Sequence, residues 1–375
     1  MANANLSAAK EAKNDEFYTQ LTDIQIEMSN YTDKFKDKIV FCNCDDPFES
    51  NFVKYFLMNF NRLGLKELIA TGYKASVIGG SEIGTPNTPY VLRVKDTKKY
   101  LVGTQKDLDV GGAKYFLDTE GNRIMTPLIG NNAIDENGEQ IQVSYKEKYI
   151  DEKTGKSKTK FVKKDLYYEA GDFRSDMSLA LLEECDIVVT NPPFSLFREF
   201  VSVLMKYNKQ FLIIGSKNAI KYKEIFPLLK NNEIWIGCNN VKEFKKPSGS
   251  FQKFGNISWY TNIDHVKRHQ MLPLDLGYIY KGYEDMYPKY DNYNAINVDK
   301  IAEIPSDYEG IMGVPITFLD KYCPEQFRII GQMNVGCFMD DNGWQGSNGK
   351  NMLAIGNKTP YSRILIQKKQ KEDDR

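Results

Sequence analysis

The sequence predicts an α/β fold built around a parallel sheet, with a β-rich insertion and a separate C-terminal region. Three observations predict it. Short uninterrupted apolar runs rich in β-branched residues recur at 39–42, 187–189 and 211–214, the pattern of strands covered on both faces. Apolar residues at helical spacing follow two of them: Phe48, Phe52, Phe56 and Phe60 after the first, and Leu196, Phe200, Val201, Leu204 and Met205 after the second. The runs stop on polar or proline-rich tips, and open α/β sheets hold their ligands at the carboxyl ends of strands.

Taken in order, residues 1–35 are polar and partly helical, with Asn14-Asp15-Glu16-Phe17-Tyr18-Thr19 as the distinctive cluster. Residues 39–42 form the first strand. A helix start follows, with Asp46 as N-cap, Pro47 at the first helical position and Glu49 at the third. Its phenylalanine stripe is read as core, and 65–71 as the second strand.

Residues 73–165 break the alternation. Short pieces at 90–94, 100–102, 114–117 and 140–145 are separated by turns such as Glu120-Gly121-Asn122 and Glu136-Asn137-Gly138. Residues 146–164 carry eight lysines against three acids. This is either a solvated hairpin or a strip that touches phosphates through residues such as Lys158 and Lys160.

The parallel pattern is expected to resume at 165–168, followed by Glu169-Ala170-Gly171-Asp172-Phe173 and then by strands near 187, 211, 233–237 and 257–260. Ser195 is the expected N-cap of the helix after the second apolar run. The chain thus divides into a core of 1–72 and 166–275, an insertion of 73–165, and a region of 276–375 rich in Tyr, Asn and Asp.

Composition narrows the function. With 375 residues the chain exceeds one ordinary core. Its formal net charge of zero provides no global field toward a polyanion, so any such site must be a local patch. No apolar run reaches the length of a membrane span, and residues 1–13 lack the apolar centre of a secretory signal, so no membrane partner is expected. Six cysteines without paired CxxC spacing read as free thiols of a reducing cytoplasm. His265 and His269 have no third ligand nearby in sequence and read as a solvated helical turn; no metal is expected.

The most specific stretch is Asp186-Ile187-Val188-Val189-Thr190-Asn191-Pro192-Pro193-Phe194. The two prolines end the strand, and Asn191, preceding a proline, is pushed out of the helical region. A side-chain amide and the Pro192 carbonyl on a stiff backbone can accept two hydrogen bonds from one exocyclic NH₂. Phe194 can lie against the ring that carries it. The bland alternative is a proline loop after a strand. Ser216, Lys217 and Asn218, after the next strand, lie on the same predicted sheet edge as candidate substrate contacts, or form only a polar loop.

At the first strand–helix junction a pyrophosphate coenzyme would need a glycine-rich turn. Cys44-Asp45-Asp46-Pro47 stands there instead. Two carboxylates suit a ligand with an ammonium group, a sulfonium and ribose hydroxyls, as in S-adenosylmethionine. The competing reading is that Asp46 only caps its helix and Asp45 is solvated. Asp172 could accept a hydrogen bond from the donor's adenine amino group, with Phe173 packed on that ring.

These blocks resemble the adenine-specific DNA methyltransferases of the EcoRI type. The resemblance is carried by 14–19, 42–52, 171–194, and Trp259-Tyr260-Thr261-Asn262 with 312–331. It implies a Rossmann-like S-adenosylmethionine-dependent methyltransferase fold with the target-recognition region last. It implies Asn191, Pro192, Pro193 and Phe194 as the catalytic tetrad. Phe17, Tyr18 and Thr19 resemble the block that closes over the methionine end of the donor, and Gly171-Asp172-Phe173 the adenine block. Asp45-Asp46-Pro47 followed by Ser50-Asn51-Phe52 resembles the family's variant donor loop, although most methyltransferases carry glycines there. No acidic residue ends the second strand at Ala70-Thr71-Gly72, so the ribose carboxylate stays unassigned.

The implied activity is methyl transfer to N6 of a flipped-out adenine in double-stranded DNA by a cytoplasmic monomer, with a cognate restriction endonuclease as possible companion. The same chemistry on an RNA adenine or a protein glutamine amide is the alternative. A catalytically inactive DNA-binding module is the alternative of a different class.

Overall fold

A computed structural model of the chain describes residues 18–45, 50–72, 89–95, 125–150, 157–245, 251–274, 277–278, 286–333, 353–356, 358 and 360–370. In chain order, its first half comprises β1 (Tyr18–Thr19), α1 (Leu21–Met28), β2 (Ile39–Cys42), α2 (Asn51–Leu63), β3 (Glu67–Thr71), β4 (Tyr90–Val94), β5 (Met125–Pro127), β6 (Asn131–Asn132), β7 (Gln142–Ile150), β8 (Ser157–Asp165) and β9 (Tyr167–Tyr168). There follow α3 (Asp176–Glu184), β10 (Ile187–Thr190), α4 (Phe197–Lys206), β11 (Gln210–Ser216), α5 (Phe226–Lys230), β12 (Trp235–Lys245) and β13 (Phe251–Thr261). The last strands are β14 (Ala295–Asn297), β15 (Ile311–Pro315), β16 (Phe327–Met333) and β17 (Arg363–Lys368). The architecture is mixed α/β, in two compact units: one of 35–191 with 207–209, the other of the remaining residues.

In the first unit the strand order is β10-β2-β3-β4-β5. The predicted parallel strands are its heart. Ile187 lies opposite Val40, and Val40 opposite Leu68, in parallel register. All four residues of β10 and all five of β3 are buried, as uninterrupted apolar runs require. Two pieces of the 73–165 stretch, β4 and β5, continue this set antiparallel.

Helix α2 buries Phe52, Phe56 and Phe60 on one face, and Phe56 meets the ring of Phe35 at 5.5 Å. Its cap corrects the sequence reading. Ser50, not Asp46, caps it, accepting the Phe52 N–H at 3.1 Å. Both positions carry a capping side chain, and the later one sits where the extended backbone turns into helix. Asp46, Pro47 and Phe48 lie outside the described residues, as do the predicted strands at 100–102 and 114–117. The helix stops at Gly64, whose φ of 65° is left-handed and suits a residue without Cβ. Ser50→Ala is expected to lower unfolding free energy by about 1–2 kcal/mol, since it removes a cap and a buried hydrogen bond; urea unfolding would measure it.

Residues 165–168 do not resume the parallel pattern. Asp165 closes the β7–β8 hairpin, and β9 pairs antiparallel with β6. Tyr167 is half-exposed, so this two-residue strand lacks the apolar content of a core strand.

In the second unit the order is β1-β12-β13-β11, antiparallel throughout. Residues 233–237 and 257–260, expected in a parallel series, are instead the ends of one long antiparallel hairpin. Register shifts between Ile236 and Asn240 and between Val241 and Glu243 break the alternation that would have betrayed it. The first shift is held by Glu27 of α1, a fully buried carboxylate. It accepts the Cys238 and Asn239 N–H groups, each at 2.7 Å, and the Tyr31 hydroxyl at 2.9 Å. A Cβ at Gly237 would stand 2.7 Å from Trp259 Cβ and press on Glu27 Oε1. Gly237→Ala is therefore expected to cost about 1–3 kcal/mol of stability by overpacking, read from its thermal unfolding midpoint.

His265 belongs to this core rather than to a solvated turn. It is 5% exposed, meets Tyr31 edge-on at 5.7 Å, and burial holds its pKa down. His269 is exposed between Asp264 and Glu325, each at 2.8 Å. A second sheet, β14-β15-β17-β16, packs Tyr290, Ile330, Leu353 and Leu365 into its own core.

Candidate active site

In the first unit the carboxyl ends of β2, β3 and β10 converge. Thr190, the last residue of β10, places its hydroxyl against the Asn43 carbonyl and 2.5 Å from Asp45 Oδ2. Thr71, the last residue of β3, donates to Asn43 Oδ1 at 3.3 Å. Ser50 donates to Asp45 Oδ1 at 2.7 Å. The tip after β2 is thus tied to both neighbouring strands. Cys44 at its apex has φ 70°, a conformation costly for a non-glycine residue and held here by those bonds. Asn191 follows Thr190 directly and is half-buried, with its amide oxygen shielded from solvent.

Asp45 is neither solvated nor offered to the surface: it is 7% exposed, and both oxygens accept hydroxyls of the protein itself. Asp172 lies close enough to act on the same tip. Burial pushes the Cys44 thiol well above its ordinary pKa, the charges of Asp45 and Asp172 push further, and Arg174 opposes them. Asp172 accepts three bonds from Arg174: backbone N–H and Nε on Oδ1, each at 2.9 Å, and Nη2 on Oδ2 at 2.8 Å. The guanidinium stacks over Tyr168 at 4.9 Å and Phe173 at 5.1 Å, and Phe173 is 2% exposed. Arg174 escaped the sequence reading; an Asp two residues before an Arg, beside two aromatics, was the available signal.

The donor set fits S-adenosylmethionine by its chemistry. The tip concentrates the negative charge of Asp45 and Asp172, whose oxygens are engaged by Ser50, Thr190 and Arg174, with the Asn43 carbonyl and the aromatics Tyr168 and Phe173 beside them. Negative charge of this kind suits an ammonium and a sulfonium.

In the second unit Pro192 is buried, while Pro193 and Phe194 are partly exposed. Ser195 does not cap a helix; Phe194–Leu196 form a 3₁₀ turn that runs straight into α4. The Phe194 ring meets Phe244 edge-on at 6.3 Å. Phe244 is fully buried on β12, and its backbone pairs with Thr19 of β1. Tyr18 pairs with Lys245 in the same ladder, and Phe17 lies outside the described residues.

Ser216 caps the turn 217–221 by accepting the Asn218 N–H at 3.2 Å. Lys217 is mostly buried and held by Asp320 at 2.6 Å, whereas Asn218 is exposed. Lys158 and Lys160 stand on the exposed strand β8, far along the hairpin from the tip residues in sequence, with Lys160 paired to Glu147 at 3.1 Å.

The chain is also similar over nearly its whole length to known proteins. The chain is 40% identical to the Type II methyltransferase M.EcoRI of Escherichia coli over 98% of its length and 97% of that protein's. It is 32% identical to the Type II methyltransferase M.MpnI of Mycoplasma pneumoniae over 96% and 97%. No solved structure matches the chain at a significant level. The model of the family described as adenine-specific methyltransferase EcoRI matches residues 5–369. This match covers nearly the whole length, and the chain belongs to the EcoRI family of adenine-specific methyltransferases.

Proposed function

We propose that this enzyme transfers a methyl group from S-adenosylmethionine to N6 of an adenine flipped out of double-stranded DNA. The observation that carries the reading is the position of Asn191. It leaves the buried strand β10 one residue after Thr190, which is bonded to the donor tip at Asn43 and Asp45. This supports a donor site and an acceptor site at one strand end.

When bound, S-adenosylmethionine supplies a methyl group on a positively charged sulfur. The protein's part is alignment and polarisation. Asn191 Oδ1 and the Pro192 carbonyl accept the two N–H bonds of the adenine amino group, which draws the nitrogen lone pair out of the ring and toward the methyl carbon. Asn191 is too weak a base to take the proton, which leaves to solvent after the methyl arrives. Phe194 stacks on the extruded base, since a stacked base cannot reach such a pocket. Asp172 and Phe173 hold the donor's adenine, and Asp45 and Cys44 shape the tip beside its methionine end; Tyr18 and Thr19 are assigned to the donor's methionine end by the family resemblance alone. Pro193 keeps the backbone extended.

The Rossmann-like core, the reading of sequence by residues 276–375, target-strand contacts by Ser216, Lys217 and Asn218, and phosphate contacts by Lys158 and Lys160 are parts of the same proposal. So are a cytoplasmic location, action as a monomer and a companion endonuclease. Among the described residues no helix is long and apolar enough to cross a membrane. The test is incubation with tritiated S-adenosylmethionine and plasmid, followed by nucleoside digestion. Label in N6-methyladenine at one recurring sequence is expected. Label in RNA or protein only, or none, would overturn the reading.

A further inference from the structure

We propose that the β7–β8 hairpin is an arm that lies in the DNA major groove beside the target site. This rests on the reading of DNA as substrate. Three observations carry it. First, of its eighteen described positions in two nine-residue strands, all but Val162 are exposed, and the exposed positions lie on both faces. An isolated two-stranded ribbon is marginally stable in water, yet this one is firmly rooted. Gln140 Nε2 donates to the carbonyls of Ala133 at 2.9 Å and Leu166 at 3.1 Å, and Gln142 to Asp165 at 2.9 Å.

Second, the arm exposes large apolar side chains, with Phe161 73% and Ile150 72% accessible and Tyr145 and Tyr149 at 40% each. Exposed apolar groups in one place mark a contact surface. Third, its two strands carry six lysines and two acids in a chain of zero net charge. Register puts cations on both faces. Lys158, Lys160 and Lys164 share one with Tyr145 and Tyr149; Lys146, Lys148 and Lys163 share the other with Phe161 and Ile150.

Protein interfaces deplete lysine at their centres, so this interleaving speaks for a polyanion. A ribbon cationic on both faces needs anions on both sides. The major groove, about 12 Å wide between phosphate walls, admits a two-stranded ribbon. Nine residues at about 3.3 Å each span roughly 30 Å, close to one turn of the duplex.

The experiment uses the full chain with Lys158, Lys160, Lys163 and Lys164 all changed to Gln. Dimethyl sulfate footprinting is expected to show guanine N7 protection within about one turn of the methylated adenine in the parent and its loss in the variant. The salt dependence of DNA affinity (log K against log salt) should become shallower by about 2–4, at about 0.9 for each phosphate no longer neutralised. The single changes Lys158→Gln and Lys163→Gln are each expected to reduce the slope by about 0.9, and they decide the question if the quadruple variant melts early. Unchanged protection and slope would overturn the proposal and leave the arm to a protein partner. That failure is distinct from failure of the DNA reading, in which the parent itself would neither footprint nor methylate DNA.

Discussion

Asn191→Ala is expected to lower the turnover number for methyl transfer by about 10²–10³-fold or more, while donor and DNA dissociation constants stay within about twofold. The magnitude follows from the role. An acceptor that polarises the reacting nitrogen only as the bond forms contributes roughly 3–4 kcal/mol to the transition state and little to the ground state. The substitution spares the hydroxyl bonds of Thr190 to Asn43 and Asp45. Single-turnover methylation at saturating donor and duplex measures it. Retained turnover would remove Asn191 from the mechanism.

The second large effect is expected at Asp172. Asp172→Ala should raise the dissociation constant for S-adenosylmethionine by about ten- to a hundredfold, the range for a hydrogen bond to a charged group. Its carboxylate already holds Arg174 through three bonds, so the variant also frees that guanidinium. Arg174→Ala separates the two contributions. If Asp172 itself meets the donor, removing Arg174 weakens binding less than removing Asp172. A second readout is the Cys44 thiol, whose pKa the Asp172 charge helps hold high. Loss of that charge lowers the pKa, so alkylation of Cys44 at a fixed neutral pH should speed up. An unchanged donor constant in Asp172→Ala would count against placing the coenzyme adenine there.

What the sequence disclosed follows from how each element is stabilised. Strands β2 and β10 were legible because burial on both faces writes an unbroken apolar run, and the prolines after Asn191 mark the strand end without tertiary information. The tip was legible as a place with carboxylates and no glycine. Its wiring was not: the partner of Asp45 is Thr190, reached only when two parallel strands pair. The cap at Ser50 was masked by an equally good signal at Asp46. The β12–β13 hairpin was misassigned because its register shifts erase the period of two, and α1 hid its key residue because a glutamate on a short polar helix looks solvated. Arg174 was missed because a local ion pair leaves no periodicity.

The Glu27 anchor has a consequence for how such chains diverge. A Cβ at 237 presses on both Glu27 Oε1 and Trp259 Cβ, and a shorter side chain at 27 would strand the two amides it now serves. Neither site can drift alone. Descendants that keep this hairpin should inherit the glycine and the glutamate as a couple.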